Sequence, residues 1–209
     1  MGKKHQPDRL ASVYDARDSR QTAELYDEWA AEYERDVLSY GYTTPAVIAG
    51  LLGRHVGARD GSVLDAGVGT GMMGEVIRPL GYTDLSGIDL SENMLNLARE
   101  KNVYGSLRQM ELGERLDFPS DSFAAVVAAG VFTPGHAPPH SLEELLRITL
   151  SNGHIIFSVR SNEDSGFAEK QRALEEEGWW RLVEVTEPYR QLPLADPNLK
   201  ARCFAYRVG

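Results

Sequence analysis

The 209-residue sequence contains one cysteine, Cys203. A disulfide framework and a cysteine-rich zinc site are therefore excluded. Its apolar neighbours Phe204, Ala205 and Tyr206 make a small buried hydrophobe the expected role, rather than a nucleophile. Long apolar runs are missing too. The longest, residues 123–132, is too short to span a bilayer, and no membrane association is expected. Positive charge is scarce: 22 Lys and Arg stand against 31 Asp and Glu, a net charge of −9, with no basic patch. Such a field repels polyanions. A small molecule, or a neutral or basic peptide, is the better partner, and nucleic acid is not expected. The opening Met1-Gly2-Lys3-Lys4-His5-Gln6-Pro7 has no apolar stretch behind its basic residues, unlike a secretory signal, and Gln6 breaks a myristoylation pattern. A cytoplasmic protein is the expectation.

Residues 1–21 are polar and charged without an apolar period, which predicts a disordered or loosely packed segment. Leu25, Tyr26, Trp29, Ala30, Tyr33 and Val37 then recur at helical spacing. Thr44-Pro45 opens a second helix, giving a helical arm over residues 22–53 ahead of a domain that runs to 209. From Ser62 onward strands and helices alternate. Val63–Ala66, Leu85–Asp89, a weaker segment over 103–109, the continuously apolar 123–129, and 154–159 read as parallel strands. A helix is expected from Ser91, another from a capping box at Ser141-Leu142-Glu143-Glu144, and a third over 167–177 before Gly178. Two strands, 179–186 and 201–208, close the chain. The linker between them carries Pro188, Pro193 and Pro197, which block a helix. The pattern is α/β: a Rossmann-like, seven-stranded, mostly parallel sheet with an antiparallel C-terminal strand.

The chemistry concentrates in Asp65-Ala66-Gly67-Val68-Gly69-Thr70-Gly71. A strand feeds a glycine loop that opens a helix, where close backbone approach and exposed N–H groups suit a negative ligand group. The spacing is Gly-x-Gly-x-Gly, not the Gly-x-Gly-x-x-Gly of dinucleotide folds. Asp65 stands where a carboxylate would reach a substrate ammonium. Asp89 closes the second strand, where an acid accepts from ribose hydroxyls. Alone, Asp89 reads as an exposed turn acid; beside this loop it reads as a cofactor ligand.

These two motifs, Asp65-x-Gly67-x-Gly69-x-Gly71 and Asp89-Leu90-Ser91-x-x-Met94-Leu95, resemble those of class I S-adenosylmethionine (SAM)-dependent methyltransferases. Leu116-Asp117-Phe118-Pro119-x-x-Ser122-Phe123, Leu145-Leu146-Arg147-Ile148 and Asn152-Gly153 resemble the segments flanking that family's fourth and fifth strands. Tyr26-Asp27-x-Trp29-Ala30-x-x-Tyr33 and Phe204-x-Tyr206-Arg207-Val208 resemble the UbiE/Williams–Beuren-region (METTL27-like) branch. The resemblance spans about residues 22–208. It implies SAM as cofactor, methyl transfer to a small-molecule acceptor, and a cofactor site built from Tyr33, Asp65, Ala66, Gly67, Gly69, Gly71, Asp89, Leu90, Met94 and Ala129. In the third motif, either Glu111 supplies the adenine contact or Leu112 packs on the ring. The family's Asp after the Ser-Phe pair is Ala124 here.

Tyr33 is expected to close over the methionine end of the cofactor, where an aromatic face suits a sulfonium. Helical spacing alone would explain Trp29 and Tyr26 as packing residues, and the arm suits a lid. No catalytic residue is assigned. His136, after the fourth strand, could take a proton from a nucleophile; the plainer reading is a loop histidine bonded to backbone. His136 and His140 lack a third metal ligand, so no metal is expected. Two rival readings share the motifs: a nicotinamide-dependent oxidoreductase, and a SAM-binding regulatory protein without turnover.

Overall fold

The structure is a computed structural model describing residues 12, 13, 16, 18–133, 136–161 and 166–209. A mixed sheet forms its centre, in the order β3-β2-β1-β4-β5-β8-β6, with β7 paired to β8 at one end. The strands are β1 (Val63–Ala66), β2 (Leu85–Asp89), β3 (Ser106–Gln109), β4 (Phe123–Phe132), β5 (Thr149–Arg160), β6 (Trp180–Val185), β7 (Tyr189–Leu192) and β8 (Asp196–Val208). β1 to β5 pair in parallel, and β8 runs antiparallel to β5, β6 and β7. The expected seven strands are present. The eighth, β7, forms within the proline-bearing linker, because the turn after Leu192 folds Tyr189–Leu192 back on the first half of β8.

The continuous apolarity of β4 follows from burial on both faces. Val126 and Ala128 pack with Leu142, Leu145, Phe157 and Tyr206 on one side. Ala125 and Val127 meet Leu51, Leu52, Met73 and Ile77 on the other. The helices that cover the sheet are α1 (Ser19–Ser39), α2 (Thr44–His55), α3 (Met72–Ile77), α4 (Glu92–Glu100), α5 (Ser141–Ile148) and α6 (Phe167–Glu176). Ser91 caps α4 as expected, accepting from Met94 N–H at 3.0 Å. The capping box at Ser141 does not form. α5 begins one residue earlier, from a turn over Pro138 and Pro139, with His140 at the cap. Ser141 is buried, and Glu144 turns instead to Leu116 N–H and Arg147. α3 ends at Ile77 and gives way to a 3-10 turn at Arg78–Leu80.

Most of the segment expected to be loosely packed lies outside the described residues. Asp18 caps α1 by accepting from Gln21 N–H, and Val13 is buried against the cluster of Trp29, Val37 and Leu192. The arm is fastened at several points. Asp27 accepts from the Ser91 hydroxyl and from Asn93 N–H (3.2 Å) at the start of α4. Glu34 pairs with Lys101 at 2.8 Å. At its far end Thr43 N–H donates to Gln191 O and Leu194 N–H to Tyr40 O, so the β7–β8 hairpin clasps the arm.

Candidate active site

The parallel strands end on a common edge, and chain order reverses between β1 and β4. Ligand crevices of open α/β sheets form at such switch points. A cavity of about 240 Å³ opens there, under α1. The glycine loop forms its floor. Gly67 has φ +85°, and a Cβ there would stand 2.3 Å from Val131 Cγ2, so no side chain fits. Gly69 faces the cleft, with nothing within 4 Å of its Cβ position. The Gly67 and Val68 N–H groups are already taken by Ile88 O, so the loop is locked to β2 rather than free.

Asp89 completes that lock. Its carboxylate accepts from Gly69 N–H at 2.7 Å and from Ser91 N–H at 2.9 Å. Burial raises its pKa, the N–H groups of Ser91, Gly69 and Leu90 hold the rise down, and nearby Asp27 adds to it. Asp89, Leu90 and Met94 line the cavity, as do Gly67, Gly69, Tyr33, Glu111, Leu112 and Ala129. Ala129 comes from an irregular stretch of β4 between Ala128 and Phe132, where Gly130 takes φ +75°. Bulges of this kind re-aim side chains at sites.

Three expected residues lie elsewhere. Asp65 is buried beneath the loop, does not line the cavity, and accepts from the Tyr104 hydroxyl at 2.6 Å. Its second oxygen has no hydrogen bond among the described residues. Burial pushes its pKa up to about 7, against the Tyr104 bond that lowers it and the Asp89 charge that raises it. Tyr104 in turn accepts from Gly74 N–H, so Asp65 supports α3 from below. Ala66 is fully buried in the core, because β1 is covered on both faces. Gly71 caps α3 with φ +90° and packs on Ala98 of α4.

The arm and the β4 end close the cavity with residues that spacing alone did not single out. Tyr26 and His136 both line it, with the Tyr26 hydroxyl 2.9 Å from His136 Nε2. His136 Nδ1 lies 2.9 Å from the Thr133 hydroxyl. This departs from the expected backbone-bonded loop histidine: both ring nitrogens meet side-chain hydroxyls. Trp29 is a packing residue, 2% exposed, as its spacing suggests. Asp27 sat inside the quoted arm motif, but the partners it docks to, Ser91 and Asn93, lie more than sixty positions away in sequence.

Residues 64–157, the stretch that builds this loop, cleft and sheet, match the family described as the methyltransferase domain. This stretch is a methyltransferase domain, on the fold that SAM-dependent methyltransferases share. The family match decides between the two glycine-loop readings, against the nicotinamide oxidoreductase. The methyltransferase is 29% identical over 180 residues to methyltransferase-like protein 27 of Homo sapiens, covering 82% of this chain and 73% of that one. It is 36% identical over 121 residues to phosphatidylethanolamine N-methyltransferase of Cereibacter sphaeroides, covering 54% of this chain and 57% of that one. Its fold is shared with a TehB-like SAM-dependent methyltransferase of Corynebacterium glutamicum, at a TM-score of 0.65 and 17% identity, covering 88% and 98% of the two chains. Among the described residues, no helix is long and apolar enough to cross a membrane, and no cluster of potential ligands could hold a metal.

Proposed function

We propose that this methyltransferase acts on a small-molecule acceptor held beneath the arm. The observation that carries the proposal is the make-up of the cavity. Among its described lining residues stand Asp89, Glu111 and Glu114 and no Lys or Arg, on a chain of net charge −9. That lining is unsuited to a phosphate backbone and favourable to a neutral or cationic acceptor. The name of the Cereibacter sphaeroides relative, an amine methylating enzyme, agrees with such an acceptor.

The residues present fit SAM. A carboxylate has about four lone-pair sites, and the Gly69 and Ser91 bonds to Asp89 leave acceptor capacity for the ribose hydroxyls. The open space over Gly69 is the backbone surface on which the methionine portion would lie. Leu90, Met94 and Leu112 offer apolar surface for the adenine, with Glu111 beside them for its amino group, and Ala129 borders the same cleft. Tyr33 would cover the methionine end. Asp65 would act through the loop it supports, not by direct contact.

SAM supplies a methyl group already activated by a positive sulfur. The chain's own task is alignment of acceptor and cofactor and exclusion of water, and proximity can supply much of the rate. The test is incubation with SAM and a metabolite extract, followed by a mass search for products heavier by one methyl. A methylated small molecule supports the reading. Methylated RNA or protein, with no methylated metabolite, rejects it.

A further inference from the structure

Buried polar atoms without a hydrogen bond are rare in folded proteins, and each one needs a reason. Gln191 of β7 carries such an atom. The residue is 4% exposed, and its Oε1 has no hydrogen-bond partner among the described residues. The backbone that bears it is firmly held. Gln191 O accepts from Thr43 N–H at 3.2 Å and from the Thr43 hydroxyl at 3.3 Å, inside the clasp between hairpin and arm. Leu192, next in the chain, is buried with Trp29 and Val37. The amide stands behind Gly130, which lines the cavity. A Cβ on Gly130 would lie 3.7 Å from Gln191 Nε2 and 2.5 Å from the Tyr42 hydroxyl, so the cavity wall here is bare backbone. The Ser158 hydroxyl beside it is already engaged, accepting from Gly130 N–H at 2.9 Å. One fixed, buried carbonyl is thus left over behind this wall.

The cavity lining divides by strand. Asp89, Leu90 and Met94 lie at or after the end of β2, and Glu111 and Leu112 follow β3; these are the residues that fit the ribose and adenine of SAM. Gly130 and Val131 belong to β4, beyond β1 in the sheet order, on the side left for the methyl acceptor. We infer that Gln191 is a specificity-determining residue on that side: its Oε1 accepts the N–H or O–H of the acceptor as the acceptor settles against Gly130. The inference rests on the function proposed above and narrows it. An amine or a hydroxyl compound satisfies the leftover carbonyl, whereas a thioether cannot. Sites that hydrogen-bond a substrate N–H or O–H reject analogues without one, because a buried polar group is then unpaired. The amide takes no proton and orients the acceptor only. In the acceptor-free protein the unpaired carbonyl is a cost to stability, of the kind that functional sites carry. The hairpin that clasps the arm thereby also recognises what the arm covers.

The test compares wild type with Gln191→Met, which keeps the length of the side chain and removes the amide. Thermal unfolding comes first. Removing an unpaired buried carbonyl should leave Tm no lower than wild type and up to about 4 °C higher. A fall in Tm overturns the inference, since the amide would then be part of the packing. Transfer comes second, with methyl-tritiated SAM and a dilution series of the metabolite extract. Loss of one binding hydrogen bond raises KM more than it lowers kcat. Gln191→Met should therefore transfer about tenfold less label at high dilution, and approach wild type as the extract is concentrated. Its SAM dissociation constant, measured by calorimetry, should stay within about twofold of wild type. Equal labelling at every dilution overturns the inference, as does a loss of SAM affinity that matches the loss of label. If wild type labels RNA or protein and no small molecule, the proposed function fails on its own. The same dilution series on that macromolecule then decides Gln191: a loss of label that concentration restores upholds it, and equal labelling overturns it. A wild type that labels nothing overturns both.

Discussion

Asp65 is a carboxyl group buried beneath the glycine loop, with one hydrogen bond from Tyr104 and a second oxygen unbonded among the described residues. Burial raises its pKa from 3.8 to about 7. The folded protein therefore holds this proton more tightly than the unfolded chain does. Between about pH 4 and pH 7 the folded state carries the extra proton, and stability falls as pH rises. Above about pH 7 both states have lost it, and the penalty is constant. At about 1.4 kcal/mol per tenfold, the full displacement corresponds to at most roughly 4 kcal/mol. Asp65→Asn keeps an oxygen for the Tyr104 hydroxyl but cannot ionise. Urea unfolding of both proteins between pH 4 and pH 8 isolates the effect, because the other titrating groups cancel in the difference. The variant should gain on wild type progressively through this range, by up to a few kcal/mol, and level off above pH 7. A difference that is flat across the range would refute the reasoning and return Asp65 to an ordinary ionised carboxylate.

Gly67→Ala must place a Cβ against Val131 at φ +85°. Left-handed strain and overpacking together cost about 2–4 kcal/mol, or about 5–15 °C in Tm for a chain of this size; an unchanged Tm would show that the loop relaxes freely. Gly69→Ala meets no protein atom within 4 Å but must hold φ +52°, so it carries the left-handed strain of about 1–2 kcal/mol alone and its Tm should fall less than that of Gly67→Ala, while SAM affinity also falls; calorimetry with a thermal scan separates the two. Asp27→Ala removes the acceptor that docks the arm on Ser91 and Asn93, so amide exchange over residues 22–37 should quicken in the cofactor-free protein. If the arm is a lid, SAM should slow that exchange in wild type; equal protection with and without SAM rejects the lid.

Much of this fold is legible in the sequence because each element carries a local signal. β1, β2 and β4 announce themselves by apolarity, α4 by the Ser91 cap, and the cofactor loop by glycines whose need is geometric. What was not legible depends on partners far away in sequence. Ser141 has the pattern of a capping box, yet two prolines start the helix early and Glu144 finds Leu116 and Arg147. β7 forms in a proline-bearing linker, where its register comes from β8 and the arm it clasps. Tyr26 looks like any residue of an aromatic helical face, and only the fold brings His136 to it. Asp65 was expected at the ligand because its motif position suits an ammonium contact. The structure turns it inward, since Tyr104 offers a hydroxyl from below.

The central claim is that the cleft at the β1–β4 switch point binds SAM through Asp89. Titration calorimetry of wild type and Asp89→Ala with SAM, and with NAD as a control, tests it most directly. Charge-assisted hydrogen bonds to ribose hydroxyls contribute about 1.5–3 kcal/mol. Wild type should bind SAM and not NAD, and the folded Asp89→Ala variant should bind SAM about 10- to 100-fold more weakly. An unchanged SAM dissociation constant in the folded variant, or NAD binding without SAM binding in wild type, would contradict it.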